Sequence, residues 1–184
     1  MRKIHILAIT ALILLFTPAP TVAETVSHDS AKIISLSPVN LNAQRFSMKK
    51  LVMSRVLKQY NSPLLSSVDS FLATCVLYDL DCYLLPSITG LESSFGKFTH
   101  PGSNNPFGWG GGYIMFDSWD QAIDTVGKGL RYNYINKGAD SVEKIAPIYA
   151  ESLTWAPRVQ YFMNVFEKEE DKIDSILDEN RVNL

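Results

Sequence analysis

Residues 87–112, SITGLESSFGKFTHPGSNNPFGWGGG, contain the boundary that organises this chain: an apolar helical pattern ends and a loop rich in Gly, Asn and aromatic residues begins. Glu92 is the only acidic residue in the stretch, and it lies at that boundary. We expect a mainly α domain interrupted once by a short glycine-rich lobe. The lobe is predicted to be a loop or a short β-hairpin, with YIMF, residues 113–116, as its only strand-like run.

Apolar stripes predict the helices on the amino-terminal side of Glu92. The first stripe begins near residue 47 and repeats apolar residues three and four positions apart. The second restarts after Ser62 and Pro63, which are typical of a helix amino terminus. A third, short stripe over residues 83–91 would carry Glu92 in its last turn.

Three helices are predicted beyond the lobe. Ser118 and Gln121 have the spacing of a capping box, which predicts a helix starting at Trp119. A second helix is expected to start near Asp140, and the last and longest one after Thr154. The pattern therefore favours one mainly helical domain.

The amino-terminal residues have the pattern of an export signal. Residues 1–23 combine two basic residues, an apolar run over residues 4–16 and small residues that end at Ala23. The run is shorter than the roughly 20 residues that span a bilayer, so we expect cleavage after Ala23, with a retained anchor as the alternative. Residues 24–46 are predicted to be an extended or mobile leader and residues 47–184 the domain. We expect export to the periplasm, the cell envelope or the medium.

The charge and composition favour some partners over others. The 184 residues carry a formal net charge of −2, which gives no electrostatic footprint for nucleic acid. No segment after the amino-terminal run is apolar enough to span a membrane. The three histidines are scattered, and no Cys/His cluster has the spacing of a zinc site. We expect a monomer that needs neither a metal nor a cofactor.

Cys75 and Cys82 are the two cysteines of the chain. The residues between them are enough for the chain to leave a helix and turn back. Export would place both cysteines where disulfides persist, so we expect a bridge that closes a helix-loop-helix corner. Two buried free thiols are the alternative.

Glu92 is placed where a carboxyl group could act as a general acid. A helix end that opens onto a cleft disfavours the charged form, because apolar surroundings and the negative end of the helix dipole both raise the pKa. The loop that follows offers what sugars require: flat aromatic side chains, amide groups and glycines that let the backbone approach a ligand. On spacing alone, a solvated glutamate beside a flexible turn is the alternative.

Two segments carry a resemblance to a known family. LLPSITGLESSFGK, residues 84–97, followed by SNNPFGWGG, residues 103–111, resembles the signature of lysozyme-like peptidoglycan hydrolases. The group it resembles most is the bacterial β-N-acetylglucosaminidases, which include flagellar muramidase-type and autolysin domains. The shared features are a helix bearing a Glu-Ser pair, a nearby Gly and an Asn-x-Phe-Gly motif. The likeness covers roughly residues 64–168 and implies a lysozyme-like helical fold.

The resemblance implies roles for individual residues. Glu92 matches the acid that protonates the glycosidic oxygen of a β-1,4 linkage, and Tyr149 matches a tyrosine that faces the reaction centre. Asn105, Phe107 and Gly108 match the motif on the cleft floor. The remaining candidate glycan contacts are Ser94, Trp109, Tyr113 and Trp155.

The chain departs from the family in its second acidic group. Family members often carry another carboxylate on a β-lobe before the next helix, whereas no Glu occurs here between Glu92 and Glu143. Asp117 is the candidate base on the lobe. The alternatives are attack by the substrate's own N-acetyl group or by the muramic 6-hydroxyl, as in lytic transglycosylases.

We therefore expect an exported glycosidase that cleaves β-1,4 linkages of peptidoglycan, of the N-acetylglucosaminidase type. One alternative is a non-catalytic module that binds peptidoglycan on the same fold. The others are a lytic transglycosylase reaction that gives anhydro products, and cleavage of another β-linked N-acetylglucosamine polymer such as chitin.

Overall fold

The computed structural model describes the backbone of residues 38–182 and the side chains of residues 42–179. The predicted signal, residues 1–23, and the first part of the leader lie outside the described residues. The described chain forms six α-helices: α1 (Pro38–Gln59), α2 (Val68–Leu77), α3 (Leu84–Ser93), α4 (Trp119–Gly129), α5 (Val142–Tyr149) and α6 (Trp155–Val182). Shorter helical turns precede α2 and follow α4: Pro63–Ser67, Leu130–Tyr134 and Ile135–Lys137. The expectation of a mainly α domain is confirmed.

The start of α1 corrects one predicted boundary. Residues 38–46, expected to belong to an extended or mobile leader, are helical because α1 begins at Pro38. Proline suits the first turn of a helix, where its missing N–H would have no partner. Helix α1 packs against α6, and Lys49 of α1 pairs with Glu170 of α6 at 3.4 Å. Tertiary packing of this kind supports helices that the local pattern does not predict.

The lobe between α3 and α4, residues 94–118, is a series of turns. No β-strand occurs in the part of the chain that the structure describes, so the loop is found and the short β-hairpin is not. Three backbone groups of the YIMF run, residues 113–116, find hydrogen-bond partners without a neighbouring strand. Asparagine side chains donate to the carbonyl oxygens of Ile114 and Phe116, and the Phe116 N–H donates to the Ser103 carbonyl oxygen at 2.8 Å.

Helix α3 lies in the centre of the core. Residues 84–90 are all buried, which is expected for a short helix whose residues here are apolar or small and uncharged. Its main neighbour is α6, and Gly90 allows the close approach. A Cβ atom at this position would lie 2.8 Å from the ring of Phe95 and 3.0 Å from that of Phe162, so a larger residue would push the core apart.

A disulfide joins Cys75 in α2 to Cys82, two residues before α3 begins. Their Cα atoms lie 4.9 Å apart, and neither cysteine is free. The predicted bridge is confirmed, and it closes the corner between α2 and α3. The start of α3 is thereby tied to the core through the buried side of Cys75.

Helix α3 ends in three consecutive residues with left-handed backbone: Ser94 (φ 51°), Phe95 (φ 60°) and Gly96 (φ 82°). The Phe95 N–H donates to the Thr89 carbonyl oxygen at 2.9 Å, which closes the helix end. Left-handed backbone is unfavourable for a residue with a side chain, so surrounding contacts must hold it. The fully buried Phe95 ring supplies such contacts. The chain turns away here and leaves Glu92 at the surface.

Helix α6 is the longest described helix, with 28 residues, as the sequence pattern predicts. Its buried residues pack on α1, α3 and α5, and its far end is polar. Neither α6 nor any other described helix is both long and apolar enough to cross a membrane.

Two buried serines of α3 give a matched test of how the helix holds the lobe. Ser93 Oγ lies 2.7 Å from the Pro106 carbonyl oxygen and accepts from the Gly96 N–H at 2.8 Å, whereas Ser87 Oγ has no hydrogen-bond partner among the described residues. Ser93→Ala should lower the free energy of unfolding by about 1–3 kcal/mol, because two buried groups lose their partner. Ser87→Ala should leave it unchanged or raise it. Urea unfolding measures both, and equal effects would contradict this role of Ser93.

Candidate active site

A cleft of about 270 Å³ opens between the end of α3 and the lobe. Helix α3 contributes Glu92, and the lobe contributes aromatic side chains, a histidine and glycine backbone. The lining residues are Glu92, Ser93, Phe98, Thr99, His100, Asn105, Gly108, Gly111, Gly112 and Tyr113. Glu92 is the only carboxylate among them. The cleft therefore combines one acidic group with the kinds of surface that bind sugars.

The carboxyl group of Glu92 is hydrogen-bonded on one side and faces open space on the other. Its Oε1 accepts a hydrogen bond from the indole Nε1–H of Trp155 at 2.8 Å. Its Oε2 lies toward Gly108, where an added Cβ would come within 3.2 Å of it. Gly108 also has a positive φ of 61°, which favours glycine. Glu92 is exposed as a residue, so a ligand in the cleft can reach it.

The surroundings raise the pKa of the Glu92 carboxyl above its ordinary value. Burial of the carboxyl end is the main cause, because partial removal from water disfavours the charged form. The hydrogen bond from Trp155 and the charge of Arg158 act in the opposite direction and offset part of this effect. A raised carboxyl pKa is what a general acid needs near neutral pH.

Trp155 lies behind Glu92 rather than in the cleft. Only 3% of its surface is exposed, and it is absent from the lining residues. Its ring packs against Tyr149 with centroids 4.8 Å apart. Trp155 was a candidate glycan contact on sequence grounds; in the structure it contacts the acid instead, because the start of α6 carries it into the core.

Tyr149 connects Trp155 to the lobe. Its hydroxyl donates to the Phe107 carbonyl oxygen at 2.8 Å. Burial, with the nearby charge of Glu92, raises the pKa of Tyr149 well above its usual value, so the phenol stays protonated. The structure brings Tyr149 next to Trp155 behind Glu92, and its hydroxyl is engaged with the lobe backbone.

Two residues of the Asn-x-Phe-Gly motif build the lobe from inside. Asn105 is 3% exposed, and its side chain bonds the backbone of Trp109 and Ile114 through three hydrogen bonds. Phe107 is fully buried in the core. The Phe107 side chain therefore offers no surface to a glycan, and the Asn105 amide is already committed to the lobe. Gly108 is the motif residue that stands open beside Glu92.

Trp109 and Ser94 also lie outside the cleft lining. Trp109 packs between Tyr134 and Tyr149, with ring centroids 6.0 and 5.6 Å away. Gly129 makes room for it, since a Cβ there would come within 2.8 Å of the indole. Ser94 is half-buried in the left-handed end of α3. Both residues shape the lobe and its base, which helical spacing alone does not predict.

The exposed rim of the cleft is aromatic. Tyr113, a candidate from the sequence, is 81% exposed, and Phe98 is 74% exposed. His100 lies in the same lining, with its ring centroid 6.5 Å from that of Tyr113. The sequence reasoning missed Phe98, Thr99 and His100. Their position directly after a helix end that carries the acid was the available signal.

Asp117 does not join Glu92 in the cleft. Its carboxylate oxygen lies 3.4 Å from the side-chain nitrogen of Gln121, and its backbone N–H donates to Gln121 Oε1 at 2.6 Å. It therefore belongs to the capped start of α4, together with Ser118, whose Oγ accepts from the Gln121 N–H. Asp117, the base expected on the lobe, is not among the lining residues, because its hydrogen bonds at the start of α4 hold it outside the cleft.

A larger groove of about 870 Å³ runs between α1 and the carboxyl-terminal half of α6. Its lining mixes apolar side chains with charged residues such as Lys49 and Glu170, which pair with each other. The smaller cleft is the better candidate site because, of the two, it combines a carboxyl of raised pKa with glycine backbone and exposed aromatic rings.

Within the described residues, no group of three or more His, Cys, Asp or Glu side chains could hold a metal ion.

Comparison with known proteins assigns no family to this chain. No protein-family model matches the chain, and no curated protein matches it. The functional interpretation therefore rests on the cleft and on the sequence motifs that build it.

Glu92→Gln should stabilise the fold at neutral pH. Since burial raises the folded-state pKa of the carboxyl above its unfolded value, ionisation of Glu92 weakens the folded state as the pH rises through that pKa. The melting temperature of Glu92→Gln should exceed that of the wild type at pH 7. The difference should shrink toward about pH 4, where glutamate in the unfolded chain also becomes protonated. Thermal unfolding at both pH values checks this, and a more stable wild type at pH 7 would contradict it.

Proposed function

We propose that this protein is an exported, lysozyme-like glycosidase that cleaves β-1,4 linkages in the glycan strands of peptidoglycan. The observation that carries the proposal is the carboxyl group of Glu92, whose pKa is raised by burial and which stands open to a cleft. The Glu-Ser and Asn-x-Phe-Gly motifs, which the resemblance relates to N-acetylglucosaminidases, build the two sides of this cleft.

Glu92 acts as the general acid. Its proton passes to the glycosidic oxygen as the bond from that oxygen to the anomeric carbon breaks, and Glu92 is left as a carboxylate. A carboxyl of ordinary pKa would be almost entirely ionised at neutral pH, so the raised pKa increases the fraction that can donate. The Trp155 hydrogen bond then stabilises the carboxylate that forms.

The lobe binds the sugar rings. Tyr113 and Phe98 offer exposed aromatic faces for the apolar faces of sugars, and Gly111 and Gly112 offer backbone groups without side chains in the way. The backbone amides can bond the hydroxyl and acetamido groups along the ring edges. Because the cleft is open to solvent at the rim, an extended polymer can lie across it.

The nucleophile comes from the substrate or from water rather than from a second carboxylate. Among the described residues Glu92 is the only carboxylate that lines the cleft, and Asp117 is held by Gln121. In the first scheme, the acetamido oxygen of N-acetylglucosamine attacks the anomeric carbon and water then opens the ring that forms. In the second, the 6-hydroxyl of the muramic residue attacks, which gives an anhydro product without water. Glu92 takes back the proton of the attacking hydroxyl or water in both schemes.

A second candidate function is a peptidoglycan-binding module on the same fold. Within the part of the chain that the structure describes, no second carboxylate lines the cleft; this favours a binding module, since most glycosidases use two. The exposed aromatic rim and glycine backbone would serve binding equally well. In this case Glu92 would accept hydrogen bonds from sugar hydroxyls instead of giving a proton.

The setting proposed for this activity is outside the cytoplasm. The Cys75–Cys82 disulfide is typical of exported proteins, and it agrees with the signal predicted for residues 1–23. We propose that the protein acts as a monomer. We also propose that it needs no metal or cofactor, because one carboxyl group and the substrate's own groups supply the chemistry.

Digestion of purified peptidoglycan by Glu92→Gln tests the proposal. The wild type should release soluble fragments, and Glu92→Gln should lose at least about 100-fold of this activity, since the amide has no proton to donate in catalysis. Glu167→Gln, an exposed position on α6 outside the cleft, is the matched control and should retain activity. Undiminished digestion by Glu92→Gln would rule out Glu92 as the acid.

Mass spectrometry of the fragments separates the mechanisms. Hydrolysis leaves reducing ends, whereas attack by the 6-hydroxyl leaves anhydro ends that are lighter by one water. Binding of the wild type to insoluble peptidoglycan with no fragments released would favour the binding module over the enzyme. Release of fragments from chitin but not from peptidoglycan would identify chitin as the substrate and contradict the peptidoglycan assignment.

A further inference from the structure

We propose that Trp155 is a positioning residue that decides which oxygen of Glu92 carries the proton: it occupies Oε1 and leaves the proton on Oε2, beside Gly108. The inference deepens the proposed function and rests on it for its catalytic consequence. The placement of the proton itself rests only on the contacts of the described residues.

The indole N–H of Trp155 can only donate a hydrogen bond. It lies 2.8 Å from Oε1, so Oε1 must be an acceptor in both charge states of Glu92. In a protonated carboxyl, the carbonyl oxygen accepts a hydrogen bond better than the hydroxyl oxygen does. The protonated form therefore keeps Oε1 as its carbonyl oxygen and carries its proton on Oε2.

Oε2 lies on the side of the carboxyl where the lobe leaves space. Gly108 lines the cleft with Glu92, and its missing side chain is what keeps that space open. A Cβ at Gly108 would come within 3.2 Å of Oε2. A glycosidic oxygen that enters the cleft therefore meets Oε2, the oxygen that carries the proton.

One set of contacts fixes the group that binds Oε1 relative to the backbone that lies beside Oε2. The Trp155 ring packs on Tyr149, and the Tyr149 hydroxyl donates to the carbonyl oxygen of Phe107, the residue before Gly108. The group that binds Oε1 and the residue beside Oε2 are thus joined through Tyr149 by one ring contact and one hydrogen bond. Trp155, Tyr149 and Phe107 all pack in or against the core, so their arrangement around the carboxyl is fixed before substrate arrives.

Other charged and titratable groups surround Glu92 and bear on any measurement of its ionisation. Arg158 on α6 lowers the pKa of Glu92, and the charge of Glu92 is felt by Tyr149 on α5. His100 and Tyr113 line the cleft on the lobe side. A change that belongs to the Trp155 hydrogen bond must therefore be separated from any effect of His100.

Nuclear magnetic resonance of the indole N–H groups tests the contact without any activity assay. The chain has three tryptophans, so uniform ¹⁵N labelling gives three indole signals, and Trp155→Phe identifies the one that belongs to Trp155. In the wild type this signal should shift with pH as Glu92 ionises, and in Glu92→Gln it should not. His100→Gln removes the imidazole that lines the cleft and should leave the shift in place. A Trp155 signal that does not follow Glu92 in the wild type would overturn the proposal.

Kinetics of Trp155→Phe test the catalytic consequence. Phenylalanine keeps an aromatic ring against Tyr149 but cannot donate to Oε1. We expect kcat on soluble glycan fragments to fall about tenfold with KM within about twofold, because the proton is no longer confined to Oε2. Loss of a hydrogen bond that favours the carboxylate raises the pKa of Glu92, so the basic limb of the kcat profile should move to higher pH.

The matched control for this substitution is Trp119→Phe at the start of α4, outside the cleft lining, which should change neither kcat nor the pH profile. A Trp155→Phe enzyme that loses activity with an unmoved basic limb would give Trp155 a purely structural role and overturn the proposal. If the wild type has no glycosidase activity, the proposed function fails, while the indole measurement still tests the Trp155–Glu92 contact on which the placement of the proton rests.

Discussion

The burial of helix α3 on all sides is the constraint on which the rest of the structure depends. Seven consecutive residues, 84–90, have no solvent-exposed face, so the helix can present a functional side chain only at an end. The disulfide fixes its start, and the left-handed turn from Ser94 fixes its end. Glu92 emerges in the last turn, where a carboxyl is partly shielded by the core and still reaches the cleft.

The lobe is a glycine-rich loop whose stability comes from side chains that point inward. The Asn105 amide replaces the hydrogen bonds that a strand partner would give, and the buried Phe107 anchors the loop in the core. This arrangement explains why a chain without β-strands in its described part can hold a cleft wall. The residues available to a ligand are those whose side chains do not stabilise the loop, such as Gly108 and Tyr113.

Much of the fold was predictable because its signals are local. The apolar stripes gave the helices, the capping box at Ser118 and Gln121 gave the start of α4, and the cysteine spacing gave the bridge. The position of Glu92 in the last turn of a short helix was also predictable. The helical start of α1 was not, because residues 38–46 show no sustained apolar period, and residues 43–45 line a groove with α6, which is far away in sequence.

The sequence by itself determined that a single carboxyl ends a buried helix and that a loop of glycines and aromatic residues follows it. Only the tertiary structure decided what those residues do: Trp155, 63 residues further along the chain, binds the acid, and Phe107 turns inward. The reason is physical, since side-chain spacing defines the face of one helix, whereas a hydrogen bond between α3 and α6 depends on how the two helices pack. For the same reason Asp117, near in sequence to the lobe, is drawn into the cap of α4 and away from Glu92.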